Sequence, residues 1–376
     1  LDIHTTGKNG WYSPDNHIKT LQISNQSNEL IDETTIEKQN DETIYDAIYD
    51  PIYETIEKQN DETIDDPIDE TSEKQIINST LSSQKIYLFI VYFGKLPNYF
   101  QLYLDSLEIN NELLYIIFIT DIDLTSYKIP YNFISVSMKI NEVKSRISTL
   151  LFDIYEKEIL PENLIKDNYK LVDFKIIYPI LFDDIMKQNN IASNDFVGWG
   201  DCDVIYGKLS NFIDFNENYD IIGGWHGHFT AIKNIESFKY LFKNIPNYFE
   251  LVTDNIKTFI TDEIAYREPL TEYLKLNNCK MCYINKDFCD IVPPIFYNMI
   301  RPNHESYEKN FFNNSKPLKN INHLYYDKIQ SKLITIYDDG ESYETTYCHL
   351  QKRKMEISFT TYEKGFYIYE NKFVQF

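Results

Sequence analysis

Phe196-Val197-Gly198-Trp199-Gly200-Asp201-Cys202-Asp203-Val204-Ile205-Tyr206-Gly207 is the stretch on which the reading of this chain turns. Its first half is apolar, as expected of a strand buried on both faces. It runs straight into two carboxylates two residues apart, then into a second short apolar run. Carboxylates so placed reach one hard cation if the chain turns there. Mg²⁺ or Mn²⁺ takes oxygen ligands and keeps positions open for substrate phosphates. Asp201 and Asp203 are therefore the first metal-ligand candidates, and Asp201 a contact for a bound cofactor as well. Asp-x-Asp is a common pattern in an acidic chain, and Asp121-Ile122-Asp123 is a second instance. The flanking apolar runs are what single out the first.

Upstream, Ile86-Tyr87-Leu88-Phe89-Ile90-Val91-Tyr92-Phe93 and Tyr115-Ile116-Ile117-Phe118-Ile119-Thr120 read as two more buried strands, and Phe133 to Val136 as a third. Pro97 fits the first turn of a helix on which Phe100, Tyr103, Leu104 and Leu107 share a face. Helical patterns also cover about residues 143–158 and 173–188. Strands alternating with helices predict a mostly parallel sheet between helical layers. In such sheets ligands lie at the carboxyl ends of strands, where Asp121, Asp123, Asp201 and Asp203 all fall. From about residue 333 the pattern changes to short aromatic and β-branched runs. Turns at Asp338-Asp339-Gly340 and Glu363-Lys364-Gly365 predict hairpins, and so an antiparallel C-terminal region.

Three segments together resemble a family of GT-A glycosyltransferases found in bacterial surface-polysaccharide clusters and in giant amoeba-infecting viruses. They are Tyr169-Lys170-Leu171-Val172-Asp173-Phe174-Lys175, the Phe196–Gly207 block, and Gly227-His228-Phe229-Thr230. The likeness runs from about Lys85 to the C-terminus. It implies a Rossmann-like nucleotide-diphospho-sugar transferase domain, a divalent metal and a nucleotide-sugar donor, UDP-linked by expectation. The acceptor would be a hydroxyl of a glycan or glycoprotein.

His349, in Tyr347-Cys348-His349-Leu350-Gln351-Lys352-Arg353-Lys354, offers a neutral imidazole as a third metal ligand. The basic cluster after it would stabilise a departing diphosphate, with Lys352 as the donor contact. The family resemblance implies the same arrangement, a late His and a nearby Lys closing the metal site. Asp173 and Lys175 open an apolar helical pattern, where a basic group and backbone N–H groups can bind phosphate; an ordinary helix start explains Asp173 equally well. Gly223-Gly224-Trp225-His226-Gly227-His228 holds three of the chain's 11 glycines. Gly224, Trp225, His226 and His228 are read as a sugar-binding loop, with the indole as a flat apolar face. Thr261-Asp262-Glu263 reads as a helix start, yet the resemblance implies an acid some tens of residues beyond Asp-x-Asp. Asp262 or Glu263 is thus the candidate catalytic carboxylate. Cys279-x-x-Cys282 with Cys289 lacks a matching fourth zinc ligand, and Lys280–Ile284 reads as a strand.

Composition narrows the partners. Net charge is -22 over 376 residues, which disfavours nucleic-acid backbones. No stretch approaches the roughly 20 apolar residues of a membrane helix, and no secretory signal is expected. Five cysteines in a chain of this length point to a reducing compartment, so a cytoplasmic protein, of host cytoplasm or virion if viral. Residues 1–84 carry 19 acidic groups against 5 lysines and repeat Thr-Ile-Glu-Lys-Gln-Asn-Asp-Glu-Thr-Ile at Thr35–Ile44 and Thr55–Ile64. Such composition predicts a leader of low order ahead of one domain at 85–376.

Two rivals stand beside the transferase. A nucleotidyltransferase would show a Gly-rich basic loop after the first strand, where only Gly94-Lys95 occurs. A non-catalytic carbohydrate-binding or virion surface protein could keep the same fold.

Overall fold

The computed structural model describes residues 84–254, 267–284, 288–291, 300–303, 321–351 and 353–376. The leader at 1–84 lies outside them but for its last residue, as do Asp262, Glu263 and Lys352.

Strands β1 (Ile86–Val91), β2 (Leu114–Thr120), β3 (Phe133–Ser137) and β4 (Phe196–Gly200) form a parallel block in the order β3-β2-β1-β4. Their apolar runs are continuous because alternate side chains enter two different cores. Tyr87, Phe89, Ile117, Ile119, Val197 and Trp199 face one core. Ile86, Leu88, Ile90, Ile116, Phe118 and Phe196 face the other. Helix α1 (Phe100–Leu107) closes the second with Phe100, Tyr103, Leu104 and Leu107. Helix α2 (Ile140–Tyr155) closes the first with Val143, Ile147 and Leu151, four residues apart on one stripe. It starts three residues before the predicted point and ends where Glu156 turns left-handed at φ 55°.

The helix predicted over 173–188 is not one helix. Asn168–Ile177 is a 3₁₀ segment, followed by the short helices α3 (Tyr178–Leu181) and α4 (Asp183–Gln188). Pro179 has no N–H for residue 175 and its ring would clash with that carbonyl, so a continuous α-helix cannot pass through it. All residues from Lys170 to Ile177 are buried, which a one-faced helical reading does not foresee.

The sheet continues through an antiparallel hairpin, β6 (Ile221–His226) and β7 (Phe229–Lys233), to β8 (Met281–Cys282), in the order β4-β7-β6-β8. The pairing of β4 with β7 is close. A Cβ on Gly198 would stand 1.9 Å from the Thr230 carbonyl oxygen. The whole is a mixed α/β fold around a mostly parallel central sheet.

A second sheet, ordered β10-β9-β14-β5, joins β5 (Val204–Tyr206) to β14 (Tyr347–His349), β9 (Phe288–Ile291) and β10 (Ile300–Asn303). A third, six-stranded sheet packs Leu324, Leu333, Phe366 and Phe373 against Tyr99, Leu102 and Ile205. Its strands are β11 (Ile321–Asp327), β12 (Lys332–Tyr337), β13 (Ser342–Glu344), β15 (Glu356–Ile357), β16 (Gly365–Ile368) and β17 (Lys372–Gln375). All neighbours in it are antiparallel except β15 and β17. The antiparallel C-terminal region therefore stands, with its hairpin at Asp338-Asp339-Gly340 joining β12 to β13. The hairpin predicted at Glu363-Lys364-Gly365 does not form. Gly365 opens β16, opposite Asp327, and β15 pairs with β17 instead. The strand partner there is set by packing across the sheet, which local turn chemistry does not encode.

Candidate metal centre

The carboxyl end of β4 delivers Asp201, and the chain bends before β5 to deliver Asp203. Cys202 between them is buried in the core beside α1. The third member arrives from 146 residues later. β14 lies antiparallel to β5 with His349 opposite Val204, and the Leu350 N–H donates to the Asp203 carbonyl at 2.8 Å. One ligand atom from each of Asp201, Asp203 and His349 falls within 4.8 Å of the others. His349 Nε2 is 3.6 Å from Asp203 Oδ2. Among the described residues these three are the one group of His, Cys, Asp and Glu so arranged; Cys279, Cys282 and Cys289 form no such cluster.

The surroundings fit a cation. Asp203 is 1% exposed, and a carboxylate that deep is costly unless positive charge meets it. Lys175 supplies one charge, its Nζ donating to Asp201 Oδ2 at 3.1 Å and to the Gly227 carbonyl at 2.9 Å. His349 supplies another. Burial alone would pull its pKa down, but Asp203 and Asp290 outweigh it and hold the imidazole well above its ordinary range. Tyr99, Tyr103 and Tyr206 are buried within electrostatic reach of Asp203. Burial above all pushes their phenols up, followed by Asp203 for Tyr99, by Tyr206 for Tyr103 and by Asp201 for Tyr206, so they stay neutral and add no further negative charge. Their hydroxyls have no hydrogen-bond partner among the described residues. Two carboxylates and one imidazole form a hard-to-borderline donor set suited to a divalent ion.

The other predicted residues are distributed around this cluster. The β6–β7 turn at Gly227-His228 abuts it. The Asp201 N–H points to the His228 carbonyl at 3.4 Å, and the His228 ring lies 4.4 Å from that of His349. His228 is buried, with Nδ1 3.0 Å from the Tyr347 hydroxyl. The carbonyl of Gly224 accepts from Thr230 Oγ1, and the pairing register slips between Gly223 and His226. The side chains of Trp225 and His226 lie outside the described residues. Asp173 is not at a helix start, contrary to the sequence reading. It has no exposed surface, and Lys170 Nζ donates to it at 2.9 Å. Lys175 likewise sits late in the 3₁₀ segment, so it reaches the acid pair by its own length and not through a helix N-terminus. Asp121 is exposed after β2, with β1 between it and β4, and is not part of the triad. Asp123 accepts from the Thr125 N–H at 2.9 Å, an ordinary turn contact. Of the basic cluster, Arg353 is buried and donates to the Glu370 carbonyl, away from solvent.

Sequence reasoning missed Asp290 and Gln351. Asp290 Oδ1 lies 3.1 Å from His349 Nδ1, and Gln351 Nε2 donates to Asp290 Oδ2 at 2.8 Å. The available signal was a lone acid in the apolar run Phe288-Cys289-Asp290-Ile291.

Fold and site together define a mixed α/β protein with a carboxylate–imidazole cluster at the carboxyl edge of its parallel strands. The chain belongs to a family of unknown function (DUF6625), whose profile matches residues 88–376. No curated protein and no solved structure matches it. Among the described residues no helix is long and apolar enough to cross a membrane.

Proposed function

We propose that the protein is a metal-dependent GT-A glycosyltransferase that moves a sugar from a nucleotide-diphosphate donor to an acceptor hydroxyl. The observation that carries this reading is the convergence of Asp201, Asp203 and His349 within 4.8 Å at the edge where open α/β sheets bind ligands. The order of the parallel strands and the antiparallel C-terminal sheet are compatible with it. Asp201, Asp203 and His349 would hold Mn²⁺ or Mg²⁺. When bound, such an ion neutralises charge developing on a departing diphosphate. The chain's own residues do the rest. Lys175 adds a positive charge beside Asp201, the groups of the β6–β7 turn border the cluster, and neutral Tyr99, Tyr103 and Tyr206 add no negative charge to its surroundings. UDP is the expected nucleotide, and a glycan or glycoprotein hydroxyl the expected acceptor.

Two measurements test it. Calorimetry with UDP should show binding in the presence of Mn²⁺ and none after Asp203→Ala. A panel of nucleotide sugars with Mn²⁺ should reveal slow donor hydrolysis by the wild type that Asp201→Ala abolishes. Metal and UDP binding without turnover of any donor would favour a carbohydrate-binding protein that keeps the fold. Absence of both would end the transferase reading.

A further inference from the structure

Asp290 is an acid in the middle of a buried strand, 7% exposed. A carboxylate there is costly unless its oxygens are engaged, and both are. Oδ1 meets His349 Nδ1 and Oδ2 meets Gln351 Nε2. The ladder enforces the contact, since β9 and β14 run parallel with Asp290 opposite His349. An ionised carboxylate accepts and does not donate, so the network assigns the imidazole proton to Nδ1. In the neutral ring this leaves Nε2, the atom nearest Asp203, as the ligand atom.

Gln351 is held for this contact at a conformational cost. It is a non-glycine at φ 50°, a left-handed conformation unfavourable for L-residues that persists where the surroundings determine it. The preceding Leu350 N–H is bound to the Asp203 carbonyl. One turn therefore both anchors the Asp203 backbone and aims Gln351 at Asp290. Arg353, two residues on, lies within electrostatic reach of Asp290.

We propose that Asp290 is a positioning residue that, acting through His349, makes the site prefer Mn²⁺ to Mg²⁺. This rests on reading Asp201, Asp203 and His349 as a cation site. Imidazole is a natural ligand for transition ions, whereas Mg²⁺ is held through oxygens. A carboxylate on the far ring nitrogen fixes the ring's orientation and raises its basicity, and losing such a partner costs about 10–100-fold in metal affinity. That loss falls on the ion that depends on nitrogen. Asp290 thus sets discrimination between ions, and not affinity alone.

The test is calorimetric titration of the full chain with MnCl₂ and with MgCl₂, without nucleotide. Wild type is compared with Asp290→Ala, Asp290→Asn and Gln351→Gly. Glycine suits the left-handed position, so Gln351→Gly removes the support without endangering the fold. Asp290→Ala should weaken Mn²⁺ by about 10–100-fold and Mg²⁺ far less. Asp290→Asn, which keeps an acceptor for Nδ1–H, should recover part of the difference. Gln351→Gly should shift the Mn²⁺/Mg²⁺ ratio in the same direction by a smaller factor. If Asp290→Ala does not fold, the other two variants decide. Equal loss of both ions, or unchanged Mn²⁺ affinity, in folded variants would overturn the proposal and leave the cation site standing. A wild type that binds neither ion would overturn both.

Discussion

Lys175 Nζ and Asp201 Oδ2 are 3.1 Å apart, with side chains only 7% and 16% exposed. The same ammonium donates to the Gly227 carbonyl, so one buried cation ties the end of β4 to the β6–β7 turn. Removing one partner of a buried pair leaves an uncompensated charge, at a cost of roughly 3–5 kcal/mol. Lys175→Met should therefore lower the melting temperature sharply in metal-free buffer. A divalent ion restores positive charge beside Asp201, so Mn²⁺ should raise the melting temperature of the variant more than that of the wild type. Thermal melts with and without MnCl₂ check both halves. Equal Mn²⁺ shifts in the two proteins would show that Asp201 does not share its charge between Lys175 and the ion.

Asp203 is the deepest of the three candidate ligands. Asp203→Asn keeps its shape while removing the charge that faces His349. Expected is loss of the Mn²⁺-induced thermal shift, with the metal-free fold retained by circular dichroism. A ligand that stabilises only the folded state adds about 2.7 kcal/mol at one hundred times its dissociation constant. The wild-type shift at saturating Mn²⁺ should therefore be plain, and its disappearance easy to read.

How much of this could be read beforehand differs from residue to residue. β1, β2 and β4 were legible because strands buried on both faces leave unbroken apolar runs, and the Asp pair was legible because it sits where such a run stops. His349 was found from its residue type and basic neighbours. Its place opposite Val204 depends on the antiparallel pairing of β14 with β5, which no local pattern announces. Asp290 was invisible for the same reason, since only the parallel register of β9 with β14 brings it to His349. The helix expected over 173–188 failed at Pro179, a breaker present in the sequence but outweighed there by apolar spacing. Lys175 was picked out for a helix start that does not exist, and reaches Asp201 from a buried 3₁₀ segment instead.

Metal affinity should depend on pH through His349. Its pKa in the metal-free fold is raised above the ordinary 6.5 because Asp203 and Asp290 outweigh burial. A raised folded pKa means that the protonated ring stabilises the fold fully below the unfolded value. That stabilisation is lost as pH rises through the folded one. A metal ion needs the deprotonated nitrogen. Over the window from near 6.5 up to the raised value, Mn²⁺ must therefore displace a proton, and its affinity should climb by about tenfold per pH unit before levelling off. Calorimetry in buffers of different ionisation enthalpy would count the released proton. A flat profile across that window would mean that His349 is not a ligand.

Two glycines separate steric from dihedral demand, and the contrast tests the close packing of β4 on β7. At Gly198 an added Cβ would meet three backbone atoms of Thr230 and Ala231 at 1.9 to 2.8 Å. Backbone cannot give way as a flexible side chain can, so the two strands must part. The β4 end that carries Asp201 and Asp203 would move with them. Gly198→Ala should cost more than the roughly 1–3 kcal/mol of ordinary overpacking and abolish Mn²⁺ binding in whatever protein remains folded. Gly340, at φ 84° in the β12–β13 turn, has nothing within 4 Å of that position. Gly340→Ala meets only the left-handed penalty of about 1–2 kcal/mol and should leave Mn²⁺ affinity at the wild-type value. Denaturant melts give the two stability losses, and Mn²⁺ titration of each folded variant shows whether the metal site follows the strand contact. If Gly198→Ala bound Mn²⁺ like the wild type, the site would not depend on how closely β4 sits on β7.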